Sequence, residues 1–288
     1  MQEMLTHPAF QSAIAPLVCG MLVALLLRPF GVMWQGLAVV AGFFVAVWLT
    51  VGLSFQPLTS TRKIILASIL LPFLSFPLVQ FSGQSWKRTA FLALITSLAA
   101  LWVIWPALGR QEGLEVWLTA GRVIVFTTVV TGLLGWVSRE NIVKEGGSLL
   151  ALGLGTGASA FIGASALYGQ LAFSIVASLG GMLLVLLLIP SKQGSSTQNS
   201  VGSIGSFSLF AAVIPLAIIG GASTVYAKLP ITAMLFLALV PLFAGIPFDK
   251  KLNLQNLWFR GSLATALGLL PAVIAIWLAW NASEPMGY

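Results

Sequence analysis

The sequence predicts an all-α, polytopic integral membrane protein, a bundle of about ten transmembrane helices with both termini outside. Three observations predict it: an apolar composition, apolar blocks of membrane-spanning length, and an uneven distribution of Lys and Arg. Of the 288 residues, 7% are charged and 58% are hydrophobic, whereas soluble domains average about 25% charged residues. We therefore expect lipid to surround most of the protein, with its backbone polar groups satisfied inside helices.

Ten apolar blocks follow one another along the chain. Each spans roughly 18–24 residues, and a bilayer core about 30 Å thick requires roughly 20 residues of helix. Their approximate limits are 8–27, 34–54, 62–81, 88–108, 114–137, 147–166, 169–190, 204–226, 229–246 and 258–280. The longest connectors are 191–203, a Ser/Gly/Gln-rich stretch typical of flexible linkers, and 247–257. Neither can hold a soluble domain, so residues 1–288 are predicted to form a single membrane domain.

The Lys and Arg residues between the blocks predict the orientation. Arg122 is left aside because it lies within a block. If the N-terminus is outside, nine of the others fall inside: Arg28, Lys87, Arg88, Arg139, Lys144, Lys192, Lys250, Lys251 and Arg260. Four fall outside: Arg62, Lys63, Arg110 and Lys228. The positive-inside rule favours this orientation, which places both termini outside.

The block 147–166 has an alternative interpretation because it is rich in Gly, Ala and Ser. As a re-entrant hairpin it would reverse every later connector, and the charge count would become six inside against seven outside. Because the positive-inside rule expects an excess of Lys and Arg inside, this count disfavours the hairpin and favours ten spans. Ten spans could also divide into the halves 1–140 and 146–288, related as an inverted repeat, which is a common transporter plan.

Several function classes are disfavoured by residue types. Lys and Arg occur singly or in pairs rather than as a basic stripe, so the net charge of +7 does not predict a nucleic-acid partner. The single histidine, His7, and the single cysteine, Cys19, cannot assemble an ordinary zinc, haem or iron–sulfur site. No carboxylate lies in the middle of a block, where a carboxylate-driven pump would need one. The sequence therefore predicts no metal, no cofactor and no catalytic residue.

Arg122 is the ionisable residue that lies deepest within a block, about two turns from its start. An ionisable side chain at membrane depth is a candidate functional residue. The alternative is a structural anchor, because arginine can extend its guanidinium to the interface. Glu115 lies seven residues earlier on the same helical face and is a candidate counter-ion.

The stretch from Gly153 to Gln170 is the other candidate site. Two stripes of small residues run along it, and such stripes let helices approach closely. The alternative is a helix broken at Gly153–Gly157, whose freed backbone groups would face a solute. The glycines concerned are Gly153, Gly155, Gly157 and Gly163. The neutral hydrogen-bonding side chains are Thr156, Ser159, Ser165, Tyr168 and Gln170.

Two functions remain open. The first is a secondary transporter or facilitator of a small neutral or anionic solute, bound near the sixth block. The second is a non-catalytic scaffold or accessory subunit of a membrane complex, with a membrane protein or further copies of this chain as its partner. Both place the protein in the lipid bilayer, and the short connectors favour a bacterial plasma (inner) membrane.

Overall fold

The computed structural model describes residues 7–81, 85–137, 142–163, 165–189, 206–247 and 256–283. All regular structure within these ranges is helical, which confirms the predicted all-α class. The helices are α1 (Ala15–Leu27), α2 (Val32–Gln35), α3 (Leu37–Thr50), α4 (Ser60–Phe81), α5 (Ser85–Leu108), α6 (Leu114–Val137), α7 (Ile142–Ile162), α8 (Ala166–Leu188), α9 (Ser206–Tyr226), α10 (Ile231–Ala244) and α11 (Leu257–Ala282). A π-helical turn, Phe10–Ile14, extends α1 at its start, and a 3₁₀ turn, Arg28–Phe30, extends it at its end.

Six helical segments within the described ranges are long and apolar enough to cross a membrane. They are Phe10–Phe30, Trp86–Leu108, Leu114–Val137, Ala166–Leu188, Phe207–Tyr226 and Leu257–Ala282. Helices α3 and α10 are apolar but have 14 residues each, about 21 Å of helix. The fold is thus compatible with a membrane protein.

Helix α9 is the centre of the bundle. Its residues from Phe207 to Ser223 are all buried, and it packs against α3 to α8 and α10. By contrast, only 22% of the most apolar 18-residue stretch within Phe10–Phe30 is buried. Leu22 and Leu26 of α1 face outward. An apolar helix that is buried all round is a core helix, whereas an exposed apolar helix requires an apolar surrounding.

Side-chain contacts group the helix ends at two opposite sides of the bundle. At one, here called the tyrosine end, the Ser60 hydroxyl donates to the Tyr226 hydroxyl at 2.7 Å, and Tyr226 donates to the Val103 carbonyl at 3.2 Å. At the other, here called the Arg28 end, the Arg28 guanidinium donates to the Ile189 carbonyl at 3.2 Å. These contacts join ends that are far apart in sequence.

All ten tryptophans are exposed, each by at least 43%. Four lie on segments at the Arg28 end: Trp34, Trp86, Trp136 and Trp258. Six lie toward the tyrosine end: Trp48, Trp102, Trp105, Trp117, Trp277 and Trp280. Outward-facing tryptophans at both ends of an apolar bundle match the aromatic belts of membrane proteins, because the indole ring prefers the headgroup level.

The structure does not support either of the two alternative interpretations of the sixth block. Helix α7 is continuous from Ile142 to Ile162, so there is neither a break at Gly153–Gly157 nor the turn that a re-entrant hairpin requires. The helix also begins before residue 147 and includes Lys144 and Glu145, which the sequence had placed in a connector. They are 2% and 1% exposed. Four of the nine charges on the predicted inside are not among the described residues: Arg139, Lys192, Lys250 and Lys251. The linker 191–203 is not among them either.

Candidate functional site

A cleft of about 540 Å³ lies at the tyrosine end, between the first turns of α6 and the connector that joins α9 to α10. The connector before α6 contributes Gln111, and α6 contributes Glu115, Leu118, Thr119 and Arg122. The second wall is formed by the end of α9 and the start of α10: Thr224, Val225, Lys228, Leu229, Pro230 and Ile231. The cleft is large enough for a small organic solute.

The charged groups of the cleft come from both walls. Arg122 and Lys228 contribute two formal positive charges and Glu115 one negative charge, which leaves a net charge of +1 (2 − 1). Gln111 adds a side-chain oxygen that is buried and has no hydrogen-bond partner in the described structure. The cleft therefore offers donors to an anionic group and acceptors to a hydroxyl or amino group.

Lys228 has an unusual backbone conformation. Its φ is 50°, in the left-handed region that non-glycine residues rarely adopt. Its neighbours Ala227 and Leu229 are 0% and 4% exposed, and the backbone amides of both donate to the Ser223 carbonyl, at 2.9 and 3.1 Å. The buried neighbours hold the turn, and the exposed Lys228 lines the cleft between them. Strained residues of this kind are concentrated at functional sites.

The end of α7 packs against this turn. A Cβ added to Gly163 would collide with the Ala227 carbonyl oxygen, so a glycine is needed where α7 meets the connector. Gly163 was predicted as part of a small-residue stripe, and the structure places it next to the wall that carries Lys228. It lines no part of the cleft itself.

Three other predicted glycines have a packing role. A Cβ on Gly153 would meet Val176 of α8, and one on Gly157 would lie 2.7 Å from the Phe173 ring, also of α8. A Cβ on Gly155 would lie 2.8 Å from that of Ala272 in α11. The close-packing interpretation of the stripe is therefore the one that the structure favours.

The predicted hydroxyls Thr156 and Ser159 are buried in α7, at 1% and 0% exposure. Neither hydroxyl has a hydrogen-bond partner in the described structure. Thr156 lies beside Gly220 of α9, since a Cβ on Gly220 would be 3.7 Å from the Thr156 methyl group. Gly220 is one helical turn before Thr224, so Thr156 lies close below the cleft.

Tyr168 is a structural residue at the tyrosine end. Its ring meets that of Tyr226 edge to face with 6.1 Å between centroids. Ser165 caps α8, because its hydroxyl accepts from the Tyr168 amide at 3.4 Å. Gln170 is half-buried on α8 and does not line the cleft. Tyr168, Ser165 and Gln170 therefore do not line the cleft that contains Arg122.

Sequence reasoning missed Lys228 as a site residue, and it missed the burial of Lys144 and Glu145. Lys228 was counted as a connector charge, and no sequence signal marks its left-handed backbone. For Lys144 and Glu145, the signal was the Gly146–Gly147 pair that follows. A Cβ on Gly146 would lie 2.8 Å from Leu183, and one on Gly147 would lie 3.0 Å from the Gly261 carbonyl oxygen. The two glycines let α8 and α11 close over the start of α7.

Compared with known proteins, the chain matches no protein-family model, and no curated protein is similar to it in sequence. Among the residues that the structure describes, no three His, Cys, Asp or Glu side chains are grouped so that they could hold a metal ion.

Proposed function

We propose that the protein is a ten-span membrane protein of the bacterial plasma membrane that binds a small anionic solute in the cleft and conducts it across the bilayer. The observation that carries the proposal is the convergence of Arg122 and Lys228 on one cleft. Two cations that line the same cleft attract an anion more strongly than either does alone. The acceptor groups Glu115 and Gln111 favour a solute that also carries a hydroxyl or amino group.

Ten crossings are supported by the grouping of the helix ends at the tyrosine end and the Arg28 end. The exposed tryptophans, which form one group at each end, also support them. The orientation follows from the nine-to-four distribution of Lys and Arg. With both termini outside, the tyrosine end and its cleft face the outside. Reporter fusions at Ser196 and at Tyr288 are expected to report the cytoplasm and the outside, respectively. Two fusions that report the same side would contradict ten crossings.

Anion binding can be tested on the purified protein by thermal unfolding. Acetate, lactate and inorganic phosphate serve as anionic probes, and glycerol as a neutral one, all at the same ionic strength. A ligand at about 100 times its Kd stabilises the folded state by about 2.7 kcal/mol, so a bound anion raises the unfolding temperature in a saturable way. We expect the largest rise with lactate, whose hydroxyl can donate to Glu115 or Gln111.

Arg122→Gln removes the charge and nearly keeps the length of the side chain. We expect it to abolish the lactate-dependent rise while the unfolding temperature without ligand changes little, because Arg122 is exposed. Arg110→Gln is the matched control, since Arg110 is an exposed cation at the same end that does not line the cleft. An equal loss in both variants, or no anion effect on the parent protein, would contradict a specific anion site.

The scaffold alternative makes a different prediction for sealed vesicles. A facilitator carries radiolabelled lactate into vesicles at a rate that depends on Arg122, whereas a scaffold does not. Lactate binding without any uptake would therefore contradict transport and favour an accessory subunit that only senses the anion.

A further inference from the structure

One helical turn below the residues that line the cleft, an aromatic ring occupies a notch of two glycines. Phe126 lies one turn below Arg122 on α6, and Gly220 lies one turn below Thr224 on α9. A Cβ on Gly220 would lie 2.7 and 2.8 Å from two atoms of the Phe126 ring. One on Gly221 would lie 3.1 Å from Val123. Only glycine leaves room for the ring at this position.

Near the ring lies the Thr156 hydroxyl, which has no hydrogen-bond partner in the described structure. Thr156 is 1% exposed, and its hydroxyl has no hydrogen-bond partner. A buried hydroxyl that lacks a partner is destabilising, because it has lost its hydrogen bonds to water. Many threonine hydroxyls in helices bond to a carbonyl of the preceding turn, as Thr127 does on α6 with the Val123 carbonyl at 2.9 Å. Thr156 therefore retains an unused donor one turn below a cationic cleft.

Phe126 lies next to both Thr156 and the helical turns that line the cleft. Its side chain is 2% exposed, and both the ring and the Thr156 methyl group lie close to the position that a Gly220 Cβ would take. To open this contact, the ring would have to rotate out of the notch about its side-chain bonds. In proteins that exchange between two conformations, the minor one is typically populated to about 0.1–10%.

We propose that Thr156 forms a second, internal binding position for the anion, and that Phe126 is the barrier between this position and the cleft. The proposal rests on the proposed function, because the solute is the anion that Arg122 and Lys228 attract. The Thr156 hydroxyl donates to one oxygen of the anion after Phe126 has moved. The Gly220–Gly221 notch is the space through which the solute passes.

The test uses thiol labelling, for which the chain is well suited. Cys19 is the single cysteine, so Cys19→Ser gives a background free of thiols. In that background, Thr224→Cys reports on the cleft and Thr156→Cys on the internal position. Ala151→Cys is the matched buried control, because Ala151 is on the same helix at 0% exposure but faces Gly268 of α11. The probes are an anionic and a cationic methanethiosulfonate reagent, applied to protein in lipid nanodiscs.

We expect the Thr224→Cys thiol to react quickly, and faster with the anionic reagent. The Thr156→Cys thiol should react slowly while Phe126 is present, because the rate follows the population of the open state. Phe126→Ala should raise its rate at least about tenfold, given a closed barrier that opens about 10% of the time or less. The rate at Ala151→Cys should not change, and Phe126→Leu should give an intermediate rate if Phe126→Ala does not fold.

Different failures have different meanings. If Phe126→Ala leaves Thr156→Cys as unreactive as Ala151→Cys, the internal position is wrong while the cleft stands. An equal increase at both positions would show general loosening of the bundle and would also overturn the barrier. If Thr224→Cys shows no preference for the anionic reagent, or keeps the preference after Arg122→Gln, the proposed anion cleft itself is wrong.

Lactate uptake supplies a second readout for Thr156. Thr156→Val keeps the shape of the side chain and removes the hydroxyl, and Thr156→Ser keeps the hydroxyl. We expect Thr156→Val to slow uptake by at least about tenfold with lactate affinity at the cleft unchanged, since a hydrogen bond to a charged group contributes about 1.5–3 kcal/mol. Thr156→Ser should restore uptake. Equal uptake in Thr156→Val and the parent protein would contradict a role for the hydroxyl.

Discussion

Helices α6 and α7 both carry glycines within apolar sequence, but the glycines face opposite surroundings. On α7, a Cβ added to Gly153, Gly155 or Gly157 would lie within 3 Å of a neighbouring helix. On α6, a Cβ added to Gly121 or Gly132 would meet nothing within 4 Å. Gly135, near the end of α6, is the exception, because its Cβ would lie 2.6 Å from the Thr89 hydroxyl oxygen. The same residue type is thus required for packing along α7 and is sterically unnecessary at residues 121 and 132 of α6.

This difference explains why the glycine-rich stretch of α7 did not predict the position of the cleft. The glycines of α7 bring α8, α9 and α11 close together, which removes space rather than creating it. The cleft lies instead beside α6, where the first turns extend past the packed part of the bundle. A glycine-rich membrane segment therefore indicates close helix contacts first, and a site only where the contacts leave a gap.

The largest expected effect is on stability, from leucine substitutions on α7. In Gly155→Leu the new Cβ would lie 2.8 Å from Ala272 Cβ and 3.4 Å from Ala272 Cα, so α11 itself has to move. In Gly157→Leu the clash is with the Phe173 ring, which is half-buried and can rotate away. Overpacking costs about 1–3 kcal/mol. We expect Gly155→Leu at the upper end and Gly157→Leu below it, measured by thermal unfolding in detergent.

Gly132→Leu on α6 is the matched control for both variants. It introduces the same side chain into open space, so its unfolding temperature should stay close to that of the parent protein. A loss as large as that of Gly155→Leu would mean that another protein or a second copy of this chain covers α6. That outcome would favour the scaffold alternative over a lipid-facing helix.

Much of the fold could be predicted because lipid imposes a simple rule on sequence. Helices must be long and apolar, and polar residues must mark their ends, so the limits of α6 at residues 114 and 137 were predicted without error. The start of α7 was missed because Lys144 and Glu145 lower local hydropathy. Their burial depends on how closely α8 and α11 approach Gly146 and Gly147, which is a property of tertiary packing.

The candidate site could be predicted only in part, for a similar reason. Arg122 was identifiable as an ionisable residue inside an apolar block. Its partner across the cleft, Lys228, comes from a connector far along the chain, and the cleft exists only when α6 and α9 are packed together. No periodicity in the sequence encodes that pairing. Thr156 was named from the sequence as a candidate hydrogen-bonding side chain, but its position beside a ring of α6 and a glycine of α9 could not be predicted.

The smallest expected effect comes from adding a single methyl group to the open glycines of α6. Gly121→Ala and Gly132→Ala each restrict the unfolded chain and favour helix by about 0.5–1 kcal/mol, with no clash to offset the gain. We therefore expect both variants to unfold at slightly higher temperature than the parent protein, and the double variant to show the sum, since the sites share no neighbour. Gly155→Ala should have the opposite sign, because its methyl group would press on Ala272 and Leu237. If all three alanine variants shift the unfolding temperature in the same direction, the contrast between α6 and α7 does not hold, and neither helix has the packing described here.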